Sequence, residues 1–114
     1  MADYVKNADL REEIIKSKEQ DKLTDKAVEM LMLIAHKYSM RFNYKYEEDR
    51  EDCIAVAIMD CFQYWRGYKP EVSVNAFAYY SQIIKNGFFK SYRKTYGQMP
   101  KSSKISLSYN IYNL

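Results

Sequence analysis

The strongest helical pattern in the chain is the stretch NAFAYYSQIIKNGFFKSYRKTY, residues 75–96. Apolar side chains recur there at spacings of three and four residues, and the basic side chains lie largely off that stripe. Because Asn75 is a good N-cap, the pattern predicts a helix of about 20 residues, roughly 30 Å long. Gly87 interrupts the apolar side of this helix, which predicts the close approach of another helix there.

Three more helices are predicted before this stretch. A short amphipathic helix is predicted over residues 9–18, and Thr24 is a suitable N-cap for a second helix with a wide apolar stripe. An acidic run over residues 47–52 then leads into an apolar segment, as in a helix whose dipole favours carboxylates in its first turn. The same run, with the apolar groups near Asp52, also suits a contact surface for a basic or helical partner.

The chain is therefore predicted to be all-α, a compact bundle of about four helices with an extended basic C-terminal tail. The helical domain is assigned to residues 1–96, and the tail, partly extended or disordered, to residues 97–114. With only three glycines and two prolines in 114 residues, the chain has too little turn chemistry for a β-sandwich or barrel.

Charge and aromatic residues are unevenly divided along the chain. Residues 1–52 hold 10 Lys and Arg against 13 Asp and Glu, whereas residues 53–114 hold 8 against 2. The second part also carries 13 aromatic residues, against 5 in the first. Interleaved cations and aromatic rings suit single-stranded nucleic acid, because cations hold phosphates while unstacked bases settle on the rings. The other interpretation is an aromatic core beneath a lysine-rich solvated face.

The residues that usually support enzyme and cofactor chemistry are sparse. The three glycines are too far apart for a dinucleotide fingerprint or a phosphate loop, and one histidine, His36, with two cysteines cannot build the usual structural zinc site. On one helix Cys53 and Cys61 would lie about 12 Å apart, too far for a disulfide. No nucleophile motif accompanies His36. We expect no enzymatic activity, no cofactor and no metal.

The sequence also predicts a soluble, intracellular protein that does not contact a membrane. No charged-then-apolar signal segment opens the chain, and the longest apolar runs, residues 30–35 and 53–59, are much shorter than a membrane span.

Several short motifs occur in a fixed order. Asp52 opens an apolar helical segment, Tyr-Lys-Pro-Glu follows at 68–71, and Tyr79 lies in the next helix. Leu-Ile-Ala at 33–35 and Arg-Phe-Asn-Tyr at 41–44 precede them. This order resembles region 2 of the bacterial sigma-70 family and, more closely, the late-transcription sigma factors of T-even bacteriophages. The similarity runs from about residue 10 to residue 112.

The resemblance implies a phage-encoded sigma factor that acts in the cytoplasm of an infected bacterium. Such a factor binds host core RNA polymerase at the β′ clamp coiled coil. It also recognises and helps melt an A/T-rich minus-ten element of late promoters, on the non-template strand, and the chain has no room for the domain that reads the upstream element. By the same likeness, a phage sliding clamp and a late co-activator are further partners. The alternative is a polymerase-binding module that redirects or inhibits host transcription without reading DNA.

The resemblance also assigns residues to each contact. The implied polymerase-binding residues are Asp52, Ala55, Val56, Ile58 and Met59. The implied DNA-binding residues are Tyr80, Gln82, Ile83, Lys85, Asn86, Phe89, Lys90, Arg93 and Lys94. Asn86 would read a base edge, since a side-chain amide pairs with adenine. Gln82 and Ile83 replace the tryptophan pair usual in the family, so we expect weaker intrinsic melting of an A/T-rich target.

Overall fold

The computed structural model describes residues 5–97, which form four α-helices and no strand. The helices are α1 (Asn7–Gln20), α2 (Asp25–Ser39), α3 (Glu47–Tyr64) and α4 (Ala76–Tyr96), and one turn of 3-10 helix, Trp65–Gly67, follows α3. The predicted all-α bundle of four helices is confirmed. The predicted tail from residue 98 onward lies outside the described residues.

Two predicted N-caps begin their helices as expected. The Thr24 side chain accepts a hydrogen bond from the backbone N–H of Ala27, at 3.1 Å, and starts α2. The Asn75 side chain accepts one from the backbone N–H of Ala78, at 3.0 Å, and starts α4. Each cap satisfies a backbone donor that has no partner within the helix, so these boundaries follow from local chemistry.

Helix α1 is longer at both ends than the predicted 9–18. Its start is fixed by Asn7, whose side chain donates to the carbonyl of Val74 and accepts from the backbone N–H of Phe77. Its end is closed by Asp21, in the left-handed conformation with φ of 57°, whose N–H bonds to the carbonyl of Lys18. The contacts with Val74 and Phe77 tie α1 to the start of α4.

Helices α3 and α4 run antiparallel and pack closely. The close approach of another helix that was predicted at Gly87 is confirmed, and that helix is α3. A Cβ atom at Gly87 would lie 3.0 Å from the Cα of Ala57, which is tighter than ordinary packing. The absence of a side chain at this position therefore lets the two backbones approach each other.

The core of the bundle is rich in aromatic rings. Tyr38 packs edge-on against Phe42 and Phe88, with ring centroids 5.1 and 5.2 Å apart. Such edge-to-face geometry is favourable for aromatic pairs. Much of the aromatic content thus lies in the core, which agrees with the interpretation of the composition as an aromatic core.

The connection from α3 to α4, which contains Gly67 and Pro70, is an ordered loop. The buried Tyr68 donates its hydroxyl hydrogen to the carbonyl of Ser73 at 2.6 Å, and Arg11 of α1 donates to the carbonyl of Pro70 at 3.2 Å. These bonds hold the loop at the N-terminal end of α4.

Candidate nucleic-acid interface and apolar groove

The C-terminal half of α4 carries a shallow, basic concavity on its outer face. It has a volume of about 430 Å³. Its lining residues are Asn86, Phe89, Lys90, Arg93 and Lys94. They recur at three- and four-residue spacing, so a single helix places them side by side. All five belong to the set predicted to bind DNA, and we call this surface the α4 concavity.

The α4 concavity is positively charged, and the acidic side chain of Asp60 lies next to it. Arg93 and Lys94 are exposed in the last turn of α4, where the helix dipole also favours cations. Lys90 donates to both carboxylate oxygens of Asp60 on α3, at 3.1 and 3.3 Å. Lys85 lies above the ring of Phe89, with its Nζ 5.9 Å from the ring centroid. Cations thus surround a partly exposed aromatic ring.

The side-chain amide of Asn86, at the edge of the α4 concavity, is oriented by a hydrogen bond. Gln82 donates from Nε2 to Oδ1 of the exposed Asn86, at 3.0 Å, one helical turn away. Gln82 and Ile83 are half-buried and do not line the concavity. The structure therefore brings together the five C-terminal members of the predicted set and sets Gln82 and Ile83 apart from them.

Tyr80 lies inside the core, not on the DNA-facing surface predicted for it. Its side chain is fully buried, and its hydroxyl donates to the carbonyl of Trp65 at 2.7 Å. Burial raises the pKa of the Tyr80 phenol. Tyr80 shares an i, i+4 stripe with the buried Ile84 and Phe88, which explains its inward direction. This placement argues against a base contact by Tyr80.

An apolar groove of about 400 Å³ lies between α2 and α3, and we call it the α2–α3 groove. Its lining residues are Met32, His36, Glu51, Ile54, Ala55, Ile58 and Met59. Three of them, Ala55, Ile58 and Met59, belong to the set predicted to bind polymerase. Met59 is 66% exposed and Met32 across the groove is 41% exposed, so apolar surface from both helices is left open here, and grouped exposed apolar surface is typical of a contact site.

The other two members of that set lie beside the groove. Asp52 is exposed on α3 and Val56 is half-buried, and neither lines it. Met32 and His36 on α2 do line it, and neither belongs to the set predicted to bind polymerase. Met32 lies on the predicted apolar stripe of α2, so its pattern alone indicated a core position.

The cysteines are poor nucleophiles in this setting. Both are free and buried on α3, and burial raises the pKa of the Cys61 thiol to about 12 and also raises that of Cys53. Over residues 5–97, no cluster of three or more His, Cys, Asp or Glu side chains is placed to hold a metal ion. Within the same range, no helix has both the length and the apolar character needed to cross a membrane.

No family model matches this chain, and neither a curated protein nor a solved structure does so. The functional interpretation therefore depends on the chain's own residues. Among residues 5–97, the α4 concavity is basic and aromatic, and the α2–α3 groove is apolar.

Proposed function

We propose that this protein is a phage-type sigma factor that binds bacterial core RNA polymerase and directs it to an A/T-rich minus-ten element of late promoters. The observation that carries the proposal is the α4 concavity, in which five residues that the family resemblance assigns to DNA lie together on one helix. The α2–α3 groove adds a second surface for a protein partner.

The α4 concavity supplies both kinds of contact that promoter recognition needs. Arg93 and Lys94 are exposed cations that suit backbone phosphates, which fix the position of a protein on DNA. The Asn86 amide suits the edge of an adenine, and the Phe89 ring suits either a thymine methyl group or the face of an unstacked base. Together these groups favour A/T-rich DNA.

The α2–α3 groove suits a helix from polymerase. An amphipathic partner helix lays its apolar face into such a groove, with anchors at three- and four-residue spacing. Glu51 in the lining and the exposed Asp52 beside it place negative charge along one edge. A partner helix with basic residues flanking its apolar stripe would complement both features.

The DNA contact is tested by replacing the basic side chains of α4 with alanine in the full chain. The variant carries Lys85→Ala, Lys90→Ala, Arg93→Ala and Lys94→Ala. We expect weaker promoter binding by the polymerase complex and a salt dependence flatter by about 2 or more in log–log slope, because each lost phosphate contact removes about 0.9. Promoter affinity equal to that of the wild type would contradict the DNA contact.

A matched control removes the same number of charges from α1, α2 and the turn between them. It carries Lys18→Ala, Lys22→Ala, Lys26→Ala and Lys37→Ala. We expect this control to keep the wild-type salt slope, because none of these lysines lines the α4 concavity. Circular dichroism of both variants checks that the helices are intact.

A second candidate function is a module that binds polymerase without reading DNA. It is favoured by the burial of Tyr80, Phe88 and Tyr92, which assigns part of the aromatic helix to the core. The two candidates differ in one measurable property, since only a sigma factor gives the polymerase complex a preference for the minus-ten element.

A further inference from the structure

Asp60 on α3 is held against the edge of the α4 concavity. Its two carboxylate oxygens lie 3.1 and 3.3 Å from Nζ of Lys90, and its side chain is only 14% exposed, whereas that of Lys90 is 62% exposed. Gly87 provides the space, because a Cβ atom there would lie 2.7 Å from Oδ2 of Asp60. The Asp60 carboxylate therefore packs against α4 at Gly87, where there is no side chain, and is held there by Lys90.

The position of this carboxylate is unusual for this part of the chain. Residues 53–114 contain two acidic residues, Asp60 and Glu71, against eight basic ones. Asp60 thus lies beside the α4 concavity, where the cations of α4 are most closely grouped. A pair with an exposed lysine contributes little to stability, so the larger consequence of Asp60 concerns what Lys90 can bind.

We propose that Asp60 restrains the α4 concavity electrostatically, withholding the charge of Lys90 from nucleic-acid phosphates and so limiting sequence-independent binding. The proposal depends on the proposed function, since it concerns the same surface. A phosphate that reaches Lys90 must either displace the carboxylate or lie close to it, and like charges repel. Asp60 is thus a positioning residue, which acts on nucleic acid through Lys90.

The test compares the full wild-type chain with Asp60→Asn, which keeps the shape of the side chain and removes its charge. The probe is a fluorescent random-sequence DNA duplex of about 20 base pairs, titrated between about 25 and 200 mM salt. We expect Asp60→Asn to bind about 2- to 5-fold more tightly at low salt. We also expect its log–log salt slope to steepen by about 0.9, the value of one added phosphate contact.

Two further variants separate this effect from a general change of charge. Asp21→Asn removes the carboxylate that pairs with Arg66 at 2.9 Å, away from the α4 concavity, and should leave the salt slope unchanged. Asp60→Asn in a Lys90→Ala background should also leave the slope unchanged, because no ammonium group remains there to contact a phosphate. A purely structural role for Asp60 would not produce this dependence on Lys90.

The outcomes distinguish the proposal from the function on which it depends. If the wild type binds the duplex and Asp60→Asn binds equally or more weakly with an unchanged slope, the restraint is wrong and the DNA contact stands. A slope that steepens equally in the Lys90→Ala background also overturns it. If neither the wild type nor its polymerase complex binds duplex DNA at low salt, the proposed function fails and the restraint fails with it. Thermal melting of each variant confirms that it is folded.

Discussion

At the scale of single residues, Gly87 governs how closely α3 and α4 pack. Gly87→Ala would place a Cβ atom 3.0 Å from the Cα of Ala57, a backbone atom that cannot turn away. Overpacking of this kind costs about 1–3 kcal/mol, against a gain of about 1 kcal/mol in helix propensity. We expect a net loss of about 1 kcal/mol in the free energy of unfolding, measured by urea denaturation.

Gly67 offers a matched control for this substitution. A Cβ atom there would meet the hydroxyl of Tyr79, which can move away only by giving up its hydrogen bond to the carbonyl of Tyr64. Gly67→Ala thus measures the cost of displacing a side chain, whereas Gly87→Ala measures the cost of displacing a backbone. A Gly87→Ala variant as stable as the wild type would contradict the close helix contact.

Glu13 makes the stability of the α1–α2 junction depend on pH. The Thr24 hydroxyl donates to Oε1 of Glu13 at 2.8 Å, and this bond, with the nearby Lys16, holds the pKa of Glu13 below 4.5. Because the folded-state pKa is lowered, the ionised group stabilises the fold at neutral pH. That contribution is lost as the pH falls through the folded-state pKa.

The variant Glu13→Gln tests this dependence. We expect it to unfold about 1 kcal/mol more easily than the wild type at pH 7, and the difference to shrink as the pH is lowered well below 4.5. Urea midpoints measured across that range give the comparison. Glu12→Gln, at an exposed neighbouring position, should show no such convergence. A constant difference for Glu13→Gln at every pH would contradict the role of its charge.

At the scale of helices, local signals predicted where α2 and α4 begin. The side chains of Thr24 and Asn75 each accept a hydrogen bond from the backbone N–H three residues later in the chain. Both partners lie in the same short segment, so the local sequence is enough to predict the cap. The start of α1 was predicted less well. Asn7 fixes it through bonds to Val74 and Phe77, which are distant in sequence, so no local pattern could reveal it.

The direction of individual side chains on a helix was the hardest feature to predict. The apolar stripe of α4 is wide, and whether Tyr80 or its neighbours face inward depends on where α3 packs. The same holds for Met32, which lies on an apolar stripe and is exposed because α3 leaves a groove beside it. The spacing of apolar residues identifies the apolar face of a helix, but tertiary packing decides which residues at the margins of that face are buried.

The α2–α3 groove supports a prediction at the same scale. Met59→Lys places a charge in an apolar lining at a position that is already 66% exposed. Stability should hardly change, whereas binding to core polymerase should weaken about 10-fold or more, because the ammonium group must lose its water in the contact. Binding is measured by fluorescence anisotropy with labelled protein.

Met40 provides the control for this variant. It is another exposed methionine, on the connection after α2, and it does not line the groove. Met40→Lys should keep wild-type affinity for polymerase. Equal affinities for Met59→Lys and Met40→Lys would exclude the groove as the polymerase contact.

At the scale of the whole molecule, α3 connects the two candidate surfaces. Met59 lines the α2–α3 groove, and the next residue, Asp60, bonds to Lys90 at the α4 concavity. The tight packing at Gly87 holds these two sides of α3 in a fixed relation to α4. A partner in the groove and nucleic acid on α4 would thus lie on two sides of one closely packed helix pair, which is the arrangement that the proposed function uses.

The most direct test of that account is transcription in vitro by purified bacterial core polymerase with this protein added, with the start sites mapped by primer extension. One supercoiled template carries an A/T-rich late-type minus-ten element, and a second carries the same bases in scrambled order. We predict transcripts that start only on the intact element. If the protein binds core polymerase and yet gives no specific start on the intact element, the proposal that this protein by itself directs polymerase to the minus-ten element is contradicted. That result favours either the module that does not read DNA or a factor that acts only with its clamp partner.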